Sequence, residues 1–182
     1  MRWHCYTEDT IFILLLNSFT YLSIVGDSQM CYSEKIIFTP IGYVKTEAVG
    51  DQVKDENVTS KLILNPQLTE GLYGLSEFSH IFVLFYLNQV KETPLPPNLK
   101  VHPRRRQDLP LTGIFATRTM VRPNPIGLTL VELLNVEGNV LTVRGLDAYD
   151  GTPVLDIKPY DPWDTAEGAR TPKWWRKLYE TP

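Results

Sequence analysis

Two short segments of this chain carry more polar chemistry than a plain loop or strand needs. The first, Arg118 to Gly127 (RTMVRPNPIG), sets two arginines and two prolines around Asn124. A guanidinium is a fixed fork of donors that suits a carboxylate or a phosphate. Pro123 and Pro125 fix φ and remove backbone donors, so the corner bearing Arg118 and Arg122 is stiff. Such a corner can hold the carboxylate of a ligand, or it can be an Arg–Asp pair bracing a turn. The second segment, Asp147 to Lys158 (DAYDGTPVLDIK), has three carboxylates, a turn and a lysine in an apolar setting. Turns such as Asp150-Gly151-Thr152-Pro153 bring backbone N–H groups and a side-chain oxygen together. They can read an adenine edge or ribose hydroxyls, or simply close a hairpin. Lys158 can pair with Asp156 or another carboxylate as a structural lock.

Two further groups stand out. Asn88-Gln89 ends a long apolar run, either facing a ligand or marking the exit to solvent. His102-Pro103-Arg104-Arg105-Arg106 is the densest positive run, with Arg170, Lys173, Arg176 and Lys177 near Trp174 and Trp175 further on. Arg104, Arg105 and Arg106 can contact RNA phosphates, and exposed aromatics can stack on splayed bases. The alternatives are a solvated loop and a packing or dimer anchor formed by the tryptophans.

Strands are the elements that must position these groups. Ile36–Val44 is a short apolar run, Val58–Leu64 alternates, and HIFVLFYL from His80 to Leu87 reads as a strand buried on both faces. Gly113–Thr119 is another strand candidate. Leu128–Val136 and Val140–Leu146 flank Gly138-Asn139, a hairpin turn, and Val154–Ile157 adds a short strand. Glu47–Asn57 and the proline-rich Lys91–Pro97 read as connections. Pro66–Leu75 and Pro172–Tyr179 allow only a turn or two of helix. Regularly spaced short strands predict a mainly β chain with few short helices, folded as a barrel or curved sheet. No Gly-x-Gly-x-x-Gly follows a strand, and strands do not alternate with long helices, so a Rossmann-like nucleotide fold is excluded.

Composition sets the outer bounds. The chain has 182 residues, 43% of them hydrophobic and 21% charged, enough for one domain with a true core. A net charge of −3 does not advertise nucleic acid, but a local basic patch suffices for it. Cys5 and Cys31 form no Cys-x-x-Cys pair, and His4, His80 and His102 are scattered, so no metal site is expected. Ile11–Leu16 is apolar, but the first residues are too polar for a spanning helix and poor as a secretory signal. The expectation is a start at Met30, with residues 1–29 a mis-called, untranslated leader or a disordered tail. A signal peptide is the second choice.

FATRTMVRPNPIG and LDAYDGTPVLDIKPY together resemble the paired signatures of the TsaA-like family, the TrmO-type tRNA adenine-N6 methyltransferases. The resemblance covers Ile36 to Trp163. It implies a single β-barrel domain over 30–163 that works as a homodimer; residues 164–182 read as a C-terminal extension with a short helix, and a chain starting at Met30 would be cytoplasmic. The implied cofactor is S-adenosyl-L-methionine, held near the subunit contact. The implied reaction is N6-methylation of threonylcarbamoyladenosine beside the anticodon of tRNA. Carried over residue by residue, the cofactor contacts are Asn88, Gln89, Arg118, Leu128, Asp150, Gly151, Thr152 and Pro153. Relatives often carry histidine where this chain has Asn88, which puts any proton relay through that position in doubt. A Pro-Arg-Gln-type motif after the first strand has no counterpart in TEAVGDQVKDENVTSK. No catalytic base is singled out among Asp147, Tyr149 and Asp150. The rival reading is a module that binds the cofactor or RNA without transferring a methyl group, or a methyltransferase with another substrate.

Overall fold

In the computed structural model, which describes residues 36–90 and 98–178, side-chain alternation sets the architecture. β1 (Gly42–Lys45), β2 (Thr59–Leu64) and β3 (His80–Tyr86) each bury every second residue. β6 (Ile126–Glu137), β7 (Val140–Arg144) and β8 (Pro153–Pro159) complete a closed six-stranded barrel in the order β1-β2-β7-β6-β3-β8. Every pairing is antiparallel, and β8 closes the ring on β1 through Gly42–Val154 and Tyr43–Pro153. The inward residues, among them Val44, Leu62, Ile81, Val83, Phe85, Val131, Leu141, Val143 and Val154, form one core. Fully burying one such side chain contributes roughly 1.5–3 kcal/mol.

Closing so few strands demands bending, and irregularities supply it. The register shifts between Leu84 and Phe85 against β8, and between Leu133 and Asn135 against β7. β6 pairs with β3 over Ile126–Glu132 and with β7 over Glu132–Glu137, so it leaves one neighbour for the other part-way. Gly127 is essential to that path. A Cβ there would lie 2.3 Å from the Phe85 ring.

Several expectations change in detail. β3 is not buried on both faces: Ile81, Val83 and Phe85 are buried, while His80, Phe82, Leu84 and Tyr86 are half-buried on the outer wall. A barrel strand has one interior face, and bulky outer residues only imitate a two-sided pattern. Gly113–Thr119 is not a strand. Thr112–Gly113 (β5) pairs only with Lys100–Val101 (β4), and Ile114–Ala116 forms a 3-10 turn. The Thr117 backbone N–H and hydroxyl both donate to the Ile114 carbonyl, which diverts the chain. The Gly138-Asn139 hairpin forms, with Gly138 at φ 57°. Pro66–Leu72 is a 3-10 segment capped by Asn65, and α1 (Lys173–Arg176) is the terminal helical turn. The expectations for residues 1–29, for Cys5 and Cys31 and for Lys91–Pro97 lie outside the described residues. Among the described residues, no helix is long and apolar enough to cross a membrane, and no cluster of His, Cys, Asp or Glu could hold a metal.

Candidate functional site at one end of the barrel

Strand direction decides what meets. Because β3 is antiparallel to β6 and β8, and β8 to β1, four strand ends share one rim. These are the C-terminal ends of β1 and β3 and the N-terminal ends of β6 and β8. Asn88-Gln89 follows β3, Leu128 lies near the start of β6, and Asp150–Pro153 leads into β8. Three of the segments singled out from sequence therefore meet at one end, and the Leu87 N–H donating to the Pro125 carbonyl (2.8 Å) draws the RPNP corner to it.

The arginines of that corner separate. Arg122 Nη1 donates to the Ile114 carbonyl (3.2 Å) and the Thr117 carbonyl (3.1 Å), and its guanidinium lies 5.4 Å from the centre of the Phe115 ring. It is a brace for the 114–117 turn. Arg118 is exposed and has no hydrogen-bond or ion-pair partner among the described residues. Of the two, Arg118 is the guanidinium available to an anionic ligand.

The Asp150–Pro153 stretch forms a turn. From sequence its amides could either read a ligand or close a turn. The Gly151 N–H donates to the Val44 carbonyl (2.8 Å), and the Thr152 N–H to the Tyr149 carbonyl (3.1 Å), so these two amides close the turn. Pro153 has no N–H at all. The Asp150 carboxylate accepts from the Thr46 backbone N–H (3.0 Å) and from Lys45 Nζ (3.1 Å). The Thr46 amide first, and then Lys45, hold the Asp150 carboxyl below its ordinary range. Thr152 is 3% exposed. This turn stitches β8 to β1 and gives the rim a rigid floor. Thr46 and Lys45 were missed from sequence, because nothing local shows that Asp150 reaches back over a hundred residues.

Asn88 and Gln89 are exposed in a turn. Leu128 points outward at 58% exposure, between Ile126 and Leu130 on the same face. Lys158 pairs with Asp156 at 2.7 Å, as expected. Asp147 accepts from the Thr129 hydroxyl. Thr129 was also missed, although a threonine at an inward position of an apolar strand is a readable signal.

The basic run faces the end of the chain. Arg104 Nη1 donates to the Leu178 carbonyl (2.9 Å), and Arg106 Nη1 to the Lys177 carbonyl (2.7 Å). Arg106 also forms a bidentate pair with Asp108. Two of the three guanidinium groups thus hold the carbonyls that end α1, where positive charge is favoured. Arg105 is exposed. Trp174 and Trp175 are half-buried, with ring centres 5.5 Å apart.

Residues 43–164 match the model of the tRNA-methyltransferase O N-terminal domain. The chain belongs to this family. It is 48% identical over 131 residues to a protein of Methanothermobacter thermautotrophicus named "Probable S-adenosyl-L-methionine-binding protein", covering 69% of this chain and 90% of that one. It is 44% identical over 103 residues to a human "tRNA (adenine(37)-N6)-methyltransferase", covering 57% of this chain and 22% of that protein. The crystal structure of TrmO from Pseudomonas aeruginosa superposes with a TM-score of 0.60 and 33% identity, over 75% of this chain and 62% of that one. This member of the tRNA-methyltransferase O family therefore spans most of its archaeal relative but less than two thirds of the other two. The likeness to TrmO agrees with the closed barrel.

Proposed function

We propose that this chain is an S-adenosyl-L-methionine-dependent methyltransferase acting on tRNA, adding a methyl group to N6 of threonylcarbamoyladenosine beside the anticodon. The carrying observation is the convergence of Asn88-Gln89, Leu128 and Asp150–Pro153 on one rim, with the unpaired Arg118 guanidinium on the segment that leads into β6. Membership of the family supports the same reading. The exposed Leu128 and the exposed Asn88 and Gln89 side chains at the same end of the barrel fit an amphipathic cofactor, and Arg118 fits its carboxylate. When bound, S-adenosyl-L-methionine supplies a methyl group on a sulfonium, already a good leaving group.

The chain's own residues then have three tasks. Arg118 holds the charged end of the cofactor. The stitched Asp150–Pro153 turn and the Arg122-braced corner keep the rim rigid, so the methyl carbon and N6 can be held in line. Leu128 and its neighbours keep water from the transfer. On the RNA side, Arg105 is the member of the basic run best placed to meet phosphate, since Arg104 and Arg106 hold the chain end. A cytoplasmic location belongs to the same reading, because the substrate is tRNA.

A homodimer is part of the proposal. Ile126, Leu128 and Leu130 form an exposed apolar strip on the outer face of β6, with Phe82 and Leu84 beside it. A second copy covering that strip would complete the cofactor's apolar surroundings. Light scattering of the purified chain should give twice the monomer mass, and Leu130→Asp should return it to the monomer.

A cofactor-binding module without transfer is the second reading: Asn88 offers no titratable group where the resemblance implies a histidine. Radiolabelled methyl transfer to bulk tRNA separates the readings. Label retained in RNA supports the transferase. Cofactor binding with no label in RNA supports the module.

A further inference from the structure

The C-terminal turn lies outside residues 43–164, the part matched to the family, yet it is fastened to the middle of the chain. Arg104 donates to the Leu178 carbonyl and Arg106 to the Lys177 carbonyl, 74 and 71 residues away in sequence. The fastening sets two basic segments side by side. Arg105, between the two fasteners, is exposed, and so are Lys173, Arg176 and Lys177 on the turn. The side chains of these four make no hydrogen bond or ion pair among the described residues. Asp108 is the one acid in segments 98–113 and 168–178, and Arg106 pairs with it. Arg106 first, and Lys177 as well, hold the Asp108 carboxyl below its ordinary range, so the Lys177 ammonium sits close to the loop. A chain with a net charge of −3 thus gathers positive charge on one surface.

The loop is also held in a costly shape. Arg104 and Arg105 lie in the left-handed region, at φ 50° and 59°, which non-glycine residues seldom occupy. Such strain lasts where the surroundings impose it. Here Pro103 is buried, and the Arg105 and Arg106 N–H groups donate to the His102 and Pro103 carbonyls (2.9 and 3.0 Å). His102 Nδ1 donates to the carbonyl of the buried Leu109 (2.7 Å). The loop belongs to the connection from β3 to β6, which leaves and re-enters the barrel at the rim. Asp51 raises the Lys54 pKa above its ordinary range and Arg104 opposes it, which places Arg104 near the β1–β2 loop at that same rim.

We propose that Arg105, Lys173, Arg176 and Lys177 form one surface for the phosphate backbone of RNA, assembled by Arg104 and Arg106 as fasteners. It rests on the tRNA reading above and extends it to a segment outside the matched region. Cations spread over two segments suit a repeating anion better than a single one. A membrane surface would require the turn to expose an apolar face. Trp174, Trp175 and Leu178 are half-buried instead, so the residues that the turn exposes are its cations.

The test uses the full chain, tRNA carrying threonylcarbamoyladenosine, and the triple variant Lys173→Gln/Arg176→Gln/Lys177→Gln. Because the substituted side chains are exposed, Tm and S-adenosyl-L-methionine affinity should stay close to the parent. Affinity for tRNA at low salt should fall by about tenfold or more, and the slope of log K against log salt should drop by about two units. The KM for tRNA should rise with kcat nearly unchanged. Arg105→Gln should remove about one further unit of slope. A triple variant that binds tRNA within about twofold of the parent, on an unchanged slope, would overturn the proposal. So would a loss confined to vesicles of anionic phospholipid, with RNA binding intact, which would mark a membrane surface. If the triple variant fails to fold, Arg105→Gln/Lys173→Gln decides by the same slope. Should the parent bind tRNA and the variant lose it, with no methyl transferred by either, the surface is upheld and the methyltransferase reading falls. A parent without affinity for tRNA overturns both.

Discussion

Arg122 donates to the Ile114 and Thr117 carbonyls and lies over Phe115, whereas Arg118, four residues earlier, has neither hydrogen bond nor ion pair among the described residues. The residues alone left the two equivalent, since the partners that distinguish them are backbone atoms of a turn, and only the resemblance singled out Arg118. Arg118→Ala should weaken S-adenosyl-L-methionine binding about 10- to 100-fold by calorimetry, the scale of one charge-assisted hydrogen bond, with Tm unchanged. Arg122→Ala should instead lower stability by about 1–3 kcal/mol in denaturant titration, with a smaller effect on binding. Asp150 makes a pH-dependent contribution of known sign. Its folded-state pKa is depressed by the Thr46 amide and by Lys45. The stabilisation is therefore complete above the ordinary aspartate value of about 3.9 and is lost as pH falls through the lower folded value. Asp150→Ala should lower Tm at neutral pH, and the two Tm curves should converge at strongly acid pH. The Lys158–Asp156 pair was legible in sequence because residues two apart share a strand face.

At the scale of elements, period-two alternation predicted β2, and the Gly138-Asn139 turn predicted β6 and β7 on either side of it. Alternation failed where bending or capping overrides pattern. Thr117 ends the Gly113–Thr119 candidate by bonding back to Ile114, a local competition that hydrophobic pattern does not register. The double burial expected for β3 came from bulky residues on its outer wall. Gly127 shows what the rim needs from its strands. Phe85 fills the space above it, and a methyl group there would collide with the ring. Gly127→Ala should cost about 1–3 kcal/mol in chemical denaturation through overpacking. Because the strain falls beside Leu128, cofactor affinity should fall with it.

For the whole molecule, the barrel gathers segments from distant parts of the chain onto one end, and the C-terminal turn fastens to the basic loop. The shared rim was legible only in part. Resemblance named its residues, but the roles of Lys45, Thr46 and Thr129 depend on pairings more than fifteen residues away in the chain. The Arg104 and Arg106 bonds to the chain end make reversal of the entire run a structural change as well as an electrostatic one. Arg105→Glu isolates the charge. It should reduce methylation of tRNA and lower the salt dependence of RNA binding by about one unit of slope, with cofactor affinity unchanged. Nucleoside mass spectrometry reads the proposed methyl transfer directly. tRNA is incubated with S-adenosyl-L-methionine and the full chain, beside tRNA lacking the threonylcarbamoyl group. One added methyl is expected on the threonylcarbamoyladenosine nucleoside and none in the control. No methylated nucleoside from folded, cofactor-binding protein would contradict it.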